Sequence, residues 1–118
     1  MSYVDGFLLA VPSDKRERYR EYAAFAAEIF CECGALRLVE CWGDDVPRGK
    51  VTDMFMAVKA TAEETVCFAW VEWPSKEARD AGMAKVMADP RLEKMGEMPF
   101  DGQRMIFGGF QTIIDVTG

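Results

Sequence analysis

The 118-residue sequence predicts an α+β fold, a four-stranded sheet with two main helices packed on one face, in the order β-α-β-β-α-β. Three observations predict it. Apolar runs of strand length alternate with stretches of helical period, Pro or Gly marks most of the junctions, and 50% of the residues are apolar, enough for one core. The length suits a single domain over residues 1–118, with no repeat, low-complexity tract or linker to divide it.

Residues Tyr3 to Val11 form an apolar run closed by Pro12, the first strand. Ser13 and Asp14 then offer caps, with Glu17 three residues after Asp14 as in a capping box, so a helix begins there. Its Tyr19, Tyr22, Ala23, Ala26, Ile29, Phe30 and Cys33 fall on one stripe, and Gly34 ends it. The segment from Ala35 to Gly43 reads as a second strand that places Leu36, Leu38, Glu40 and Trp42 on one face. Asp44 to Lys50 is a loop, and Met54 to Lys59 is a short strand or a turn of helix. Val66 to Trp73 makes the third strand, ending at Pro74. Ser75 caps the next helix, which carries Glu77 in its first turn and directs Ala78, Met83, Val86 and Met87 inward. Asp89-Pro90 starts a fresh helical turn that runs to about Met95, before Gly96. Asp101-Gly102 signals a turn, and Gln103 to Val116 is the last strand, whose Gly108-Gly109 pair suggests a bulge or a close backbone approach. This is the ferredoxin-like arrangement, in which the usual strand order 4-1-3-2 places the first strand between the third and fourth.

The strands are apolar on both faces. Tyr3, Phe7, Leu9 and Val11 share one parity of the first strand and Val4, Leu8 and Ala10 the other, while the third sets Val66, Phe68 and Trp70 against Cys67, Ala69, Val71 and Trp73. Two helices cover one face, so the other calls for a second sheet, most economically from an identical chain across a two-fold axis. A homodimer with facing sheets is therefore predicted.

The composition narrows function by exclusion. Fourteen Lys and Arg against twenty Asp and Glu give a net charge of -6, which repels phosphate backbones and anionic lipid, so neither nucleic acid nor a membrane is a predicted partner. The chain has no histidine, which removes imidazole as base, ligand or triad member. No apolar run approaches the roughly 18 residues that span a bilayer, and the opening residues lack a leader pattern, so a cytoplasmic location is expected. The cysteines Cys31, Cys33, Cys41 and Cys67 are then expected to be reduced. Cys31 and Cys33 point about 200° apart on a helix and fit neither a redox pair nor a zinc knuckle.

Four segments, Tyr3-Val4-Asp5-Gly6-Phe7, Val39 to Val46, Lys85 to Leu92 and Met98 to Phe110, together resemble the domain of unknown function 1428 family, the YbaA-like bacterial proteins. The resemblance runs in order over nearly the whole chain. It implies a dimeric α/β barrel and no established activity. The wider barrel group includes cofactor-light monooxygenases, dehalogenating and isomerising enzymes, haem-binding members and ligand sensors, among which fold alone does not choose.

Polar residues set into apolar strands are the best local pointers to a site, because an unpartnered buried charge is costly. Asp5, Arg37, Glu40, Glu72 and Arg104 are of this kind. With the first strand between the third and fourth, Asp5 is placed to approach Glu72 or Arg104. A carboxylate in such an apolar pocket, its pKa raised, is a proton shuttle that needs no histidine, and the alternative is a structural ion pair or a rim charge. Glu40 shares its face with Trp42, as an aromatic-walled pocket with one carboxylate would, or as a core tryptophan beside an edge glutamate. The candidate catalytic set is Asp5, Glu40 and Arg104, with Trp42, Trp70 and Glu72 as ligand-binding residues.

The loop from Gly43 to Thr52 only superficially resembles a phosphate loop: its spacing is off by one, Val51 stands where a hydroxyl should follow Lys50, and two aspartates would repel phosphate. Asp44, Asp45 and Asp53 read as solvated or turn-forming residues, and neither a metal nor a cofactor is assigned. The eight methionines either line an adaptable pocket or fill core gaps. Function is thus expected to be binding of a small, partly apolar molecule, with cofactor-independent proton-transfer or oxygenase-like chemistry. The alternative is a non-catalytic dimeric module that recruits a protein partner through its acidic surface and the Asp44 to Lys50 loop.

Overall fold

A computed structural model describes residues 2–118. Strand β1 (Tyr3–Pro12) passes through a single 3-10 turn, Ser13–Lys15, into helix α1 (Arg16–Glu32). The anticipated capping box does not form. No side chain caps α1, and the Ser13 hydroxyl lies 2.7 Å from that of Thr65 instead, because the 3-10 turn has already carried the chain into helical geometry. Past the helix end Gly34 takes φ +112°, a conformation that a Cβ would penalise.

Strand β2 (Arg37–Trp42) follows, and the undecided Met54 segment resolves as a helical turn, α2 (Met54–Ala57). Asp53 decides it by accepting the Met56 N–H at 2.7 Å. Strand β3 (Glu64–Trp73) leads to α3 (Lys76–Ala88), where the Ser75 hydroxyl accepts the Ala78 N–H at 3.1 Å as predicted. After α4 (Arg91–Lys94) a second 3-10 turn, Gly102–Arg104, precedes β4 (Ile106–Gln111). The last strand is therefore shorter than the sequence suggests. Asp101 accepts the Gln103 N–H and turns the chain at its start, and Gln111 pairs with Tyr3, the first residue of β1, so beyond it no strand remains to pair with.

The sheet is antiparallel throughout, in the order β2-β3-β1-β4. Register brings Asp5 opposite Val71 and Gly109, and Glu40 opposite Ala69. One face meets α1 and α3. There Leu9, Val11, Tyr19, Ala23 and Cys67 form one buried cluster, and Tyr3, Ala35, Val71 and Trp73 form another. The other face is not wholly bare: Val58, just past α2, is buried with Ala10 and Val66 and covers one end of it.

Close packing explains two glycines. A Cβ on Gly82 would lie 2.7 Å from the Cys33 carbonyl oxygen and collide with the Trp73 ring, so this glycine lets α3 sit on the sheet. The stripe of α3 accordingly buries Gly82 and Val86, while Met87 is exposed rather than inward. At Gly109 the register is unbroken and there is no bulge; the Tyr3 ring and the Arg79 guanidinium lie directly over the backbone, the close approach that the glycine pair signalled.

Candidate functional site

Alternation along β1 turns Asp5 toward the helices, where it is only 5% exposed. Two donors satisfy its carboxylate. Trp73 Nε1–H donates to Oδ2 at 2.9 Å, and Arg79 of α3 donates through Nη2 to Oδ1 at 2.9 Å and through Nε to both oxygens at 3.1 and 3.2 Å. Arg79 also holds Asp80 at 2.9 Å and lies over the Tyr3 ring. The expected meeting of Asp5 with Arg104 or Glu72 does not occur. Arg104 sits past the end of that register, in the 3-10 turn before β4, and Glu72 belongs to the parity of β3 that faces away from the helices.

Arg104 instead clamps a corner. Its guanidinium donates to both Glu64 oxygens at 2.8 and 2.6 Å, to Asp101 at 3.0 Å and to the Lys59 carbonyl at 2.8 Å. The Arg104 bonds hold the Glu64 carboxyl down to about 2. On the outer face, Glu72 accepts from Trp70 Nε1 at 2.9 Å and lies 3.7 Å from Arg37. Trp70 and Glu72 therefore cannot wall a pocket that contains Asp5, Glu40 and Trp42, which lie on the helix side of the sheet.

Glu40 points from edge strand β2 under α1, where the phenol of Tyr19 donates to its Oε1 at 2.5 Å. Desolvation raises the Glu40 pKa, opposed by this bond, and burial followed by the nearby Glu40 charge raises that of Tyr19 strongly. Trp42, two residues along, carries the Arg16 guanidinium over its ring at 5.5 Å.

Between sheet and helices lies a partly open chamber of about 330 Å³. Asp5 and Arg79 mark one side and Tyr19 and Glu40 another, with walls that include Phe7, Ala69 and Phe100. Met83, Met87, Met95, Met98 and Met105 also line it, which gives the methionine-rich composition a place in an adaptable apolar wall. The arrangement sets an exposed carboxylate, hydrogen-bonded to a buried phenol, at the edge of an apolar hollow, where the carboxylate can accept a proton and the phenol holds it in place. Among the described residues no group of three or more Cys, Asp or Glu gathers as a metal site, and no helix is long and apolar enough to cross a membrane.

Sequence reasoning misses two participants. Arg79 stands four residues before Met83 and seven before Val86, so it is a charge within the buried stripe of α3, and that signal could have found it as the partner of Asp5. Tyr19 falls on the apolar stripe of α1, yet a buried phenol needs a hydrogen-bond partner, and that need points beyond packing.

An antiparallel sheet in this order, backed by helices, defines the ferredoxin-like class. Solved structures agree. A dimeric ferredoxin-like protein from an uncultured marine organism superposes with TM-score 0.59 at 9% identity, covering 98% of each chain. A mutant form of SnoaB from Streptomyces nogalater, described as a cofactor-independent oxygenase, gives 0.58 at 12% identity, covering 99% of this chain and 98% of that one. The chain belongs to the family described as protein of unknown function DUF1428, which it matches over residues 2–102. Relatives named uncharacterized protein YbaA, from Escherichia coli K12 and from Shigella flexneri, are 64% identical over 116 residues, covering 98% of this chain and 99% of theirs.

Proposed function

We propose that the protein is a cytoplasmic homodimer that binds a small, largely apolar molecule in the chamber between sheet and helices, where Glu40, positioned by the Tyr19 phenol, moves a proton without a cofactor. The observation that carries this reading is the Glu40–Tyr19 hydrogen bond at the wall of a roughly 330 Å³ apolar hollow. The volume falls at the small end of the range that ligand pockets occupy. Asp5 serves by fixing Arg79 elsewhere along the wall, and Arg104 serves the fold.

Dimerisation is supported by the outer face of the sheet. Phe68, Ile106 and Phe110 are exposed there beside Trp70, around a shallow apolar depression of about 540 Å³. A second copy of this face would cover them. The marine neighbour is itself described as dimeric, and SnoaB as an oxygenase that needs no cofactor, and both descriptions are compatible with this reading.

Native mass spectrometry tests it. The gently purified protein should run at twice the 13.3 kDa chain mass and carry an added mass that denaturation releases and that Glu40→Gln weakens. A monomer removes the dimer. A dimer that carries nothing and takes up no octanol at millimolar concentration removes the chamber reading.

A further inference from the structure

Two hollows meet at the Tyr19–Glu40 hydrogen bond. The inner one is the chamber, and the outer is a groove of about 410 Å³ between α1 and β2, bordered by Ala24, Ala27 and Trp42. Tyr19, Ala23, Leu38 and Glu40 line both, so the two hollows adjoin at the carboxyl–phenol pair.

The groove has two cations, and their situations differ. Arg20 is taken by Glu17 at 2.6 Å. Arg16 has no carboxylate within salt-bridge distance among the described residues, and its guanidinium lies over the Trp42 ring at 5.5 Å. With no carboxylate paired to it, this guanidinium has donors to offer, and a guanidinium pairs with a planar carboxylate through two parallel bonds. One free cation matches one negative charge. A phosphate-like dianion would meet an uncompensated second charge in a chain of net charge -6.

Resting on the chamber reading above, we propose that the ligand is a small amphipathic monocarboxylic acid, its apolar part in the chamber and its carboxylate on Arg16 at the mouth of the groove. Octanoate and octanol are the probes, titrated by calorimetry and by tryptophan fluorescence into the intact protein and into Arg16→Gln. Because Arg16 is exposed and makes no ion pair, the variant should fold normally, which its thermal midpoint checks.

Octanoate should bind about tenfold or more tightly than octanol, and Arg16→Gln should bring the acid down to the level of the alcohol while leaving the alcohol unchanged. Equal binding of the two probes to the unaltered protein overturns the inference and leaves the chamber reading standing. A preference for the acid that survives Arg16→Gln overturns it too, because the carboxylate then sits elsewhere. Binding of neither probe removes both the inference and the reading beneath it.

Discussion

Removing Arg104 should cost stability and leave ligand binding alone, the reverse of what a catalytic arginine would do. Its pair with Glu64 is tight, and the side chains are 24% and 8% exposed. The Glu64 carboxyl falls from an ordinary 4.5 to about 2, chiefly through the Arg104 hydrogen bonds. At about 1.36 kcal/mol for each tenfold change in proton affinity, full expression of that gap gives roughly 3 kcal/mol, and solvent around Arg104 reduces it to about 2 kcal/mol. Because the folded state depresses this pKa, the contribution is complete above the unfolded value and fades as pH falls from 4.5 toward about 2. Urea unfolding followed by tryptophan fluorescence, at one protein concentration because a dimer's stability depends on it, gives the test. At pH 7 Arg104→Met and Glu64→Gln should each cost about 2 kcal/mol, and the double variant should cost far less than their sum. The acid limb of the stability profile should flatten in both. Strict additivity, or an acid limb unchanged in Glu64→Gln, would refute the reasoning.

Other outcomes follow from single contacts. Asp5→Asn keeps an acceptor for Trp73 but leaves Arg79 facing a neutral group, and should cost about 2 kcal/mol by chemical unfolding, partly restored by adding Arg79→Met. Gly82→Ala drives a methyl into Trp73 and the Cys33 carbonyl and should lower stability by about 1–3 kcal/mol, visible as a lower thermal midpoint. Glu40, whose folded pKa is raised, favours the folded state at low pH, a contribution lost as pH rises from 4.5 through the folded value, so Glu40→Gln should flatten that stretch of the profile. Burial pushes the Cys67 thiol up to about 12, so at pH 8 a thiol reagent should modify exposed Cys31 and Cys41 in the native protein and reach Cys67 only after unfolding.

The architecture was legible because it rests on local patterns that tertiary contacts only reinforce. The stripe from Tyr19 to Cys33, the Ser75 cap and the parity of β1 and β3 all survive in the structure, since each reflects a period the chain imposes on itself. Failures came where a partner far along the chain decides the outcome. The end of β4 is set by where β1 begins, a fact about register that the residues from Thr112 to Val116 do not carry. The cover on the outer face comes from Val58, which reaches Ala10 and Val66 only because the chain after β2 folds back.

The site divides along the same line. That Asp5 and Glu40 are polar intrusions in apolar strands could be read directly, but separating Trp70 and Glu72 from them takes the register as well as parity, because residues 70 and 72 share a face opposite that of Val71, the residue paired with Asp5. Which cation answers Asp5 could not be read from strands, because the answer lies on a helix. Arg79 supplies the charge that Arg104 was expected to bring, and Arg104 is spent on Glu64 and Asp101. The consequence bears on chemistry. With Asp5 committed to Arg79 and Trp73, Glu40 is the one member of the candidate catalytic trio whose contact in the structure is a neutral proton donor. A proton moved in the chamber would therefore be exchanged with Glu40, held by its Tyr19 partner, before Asp5.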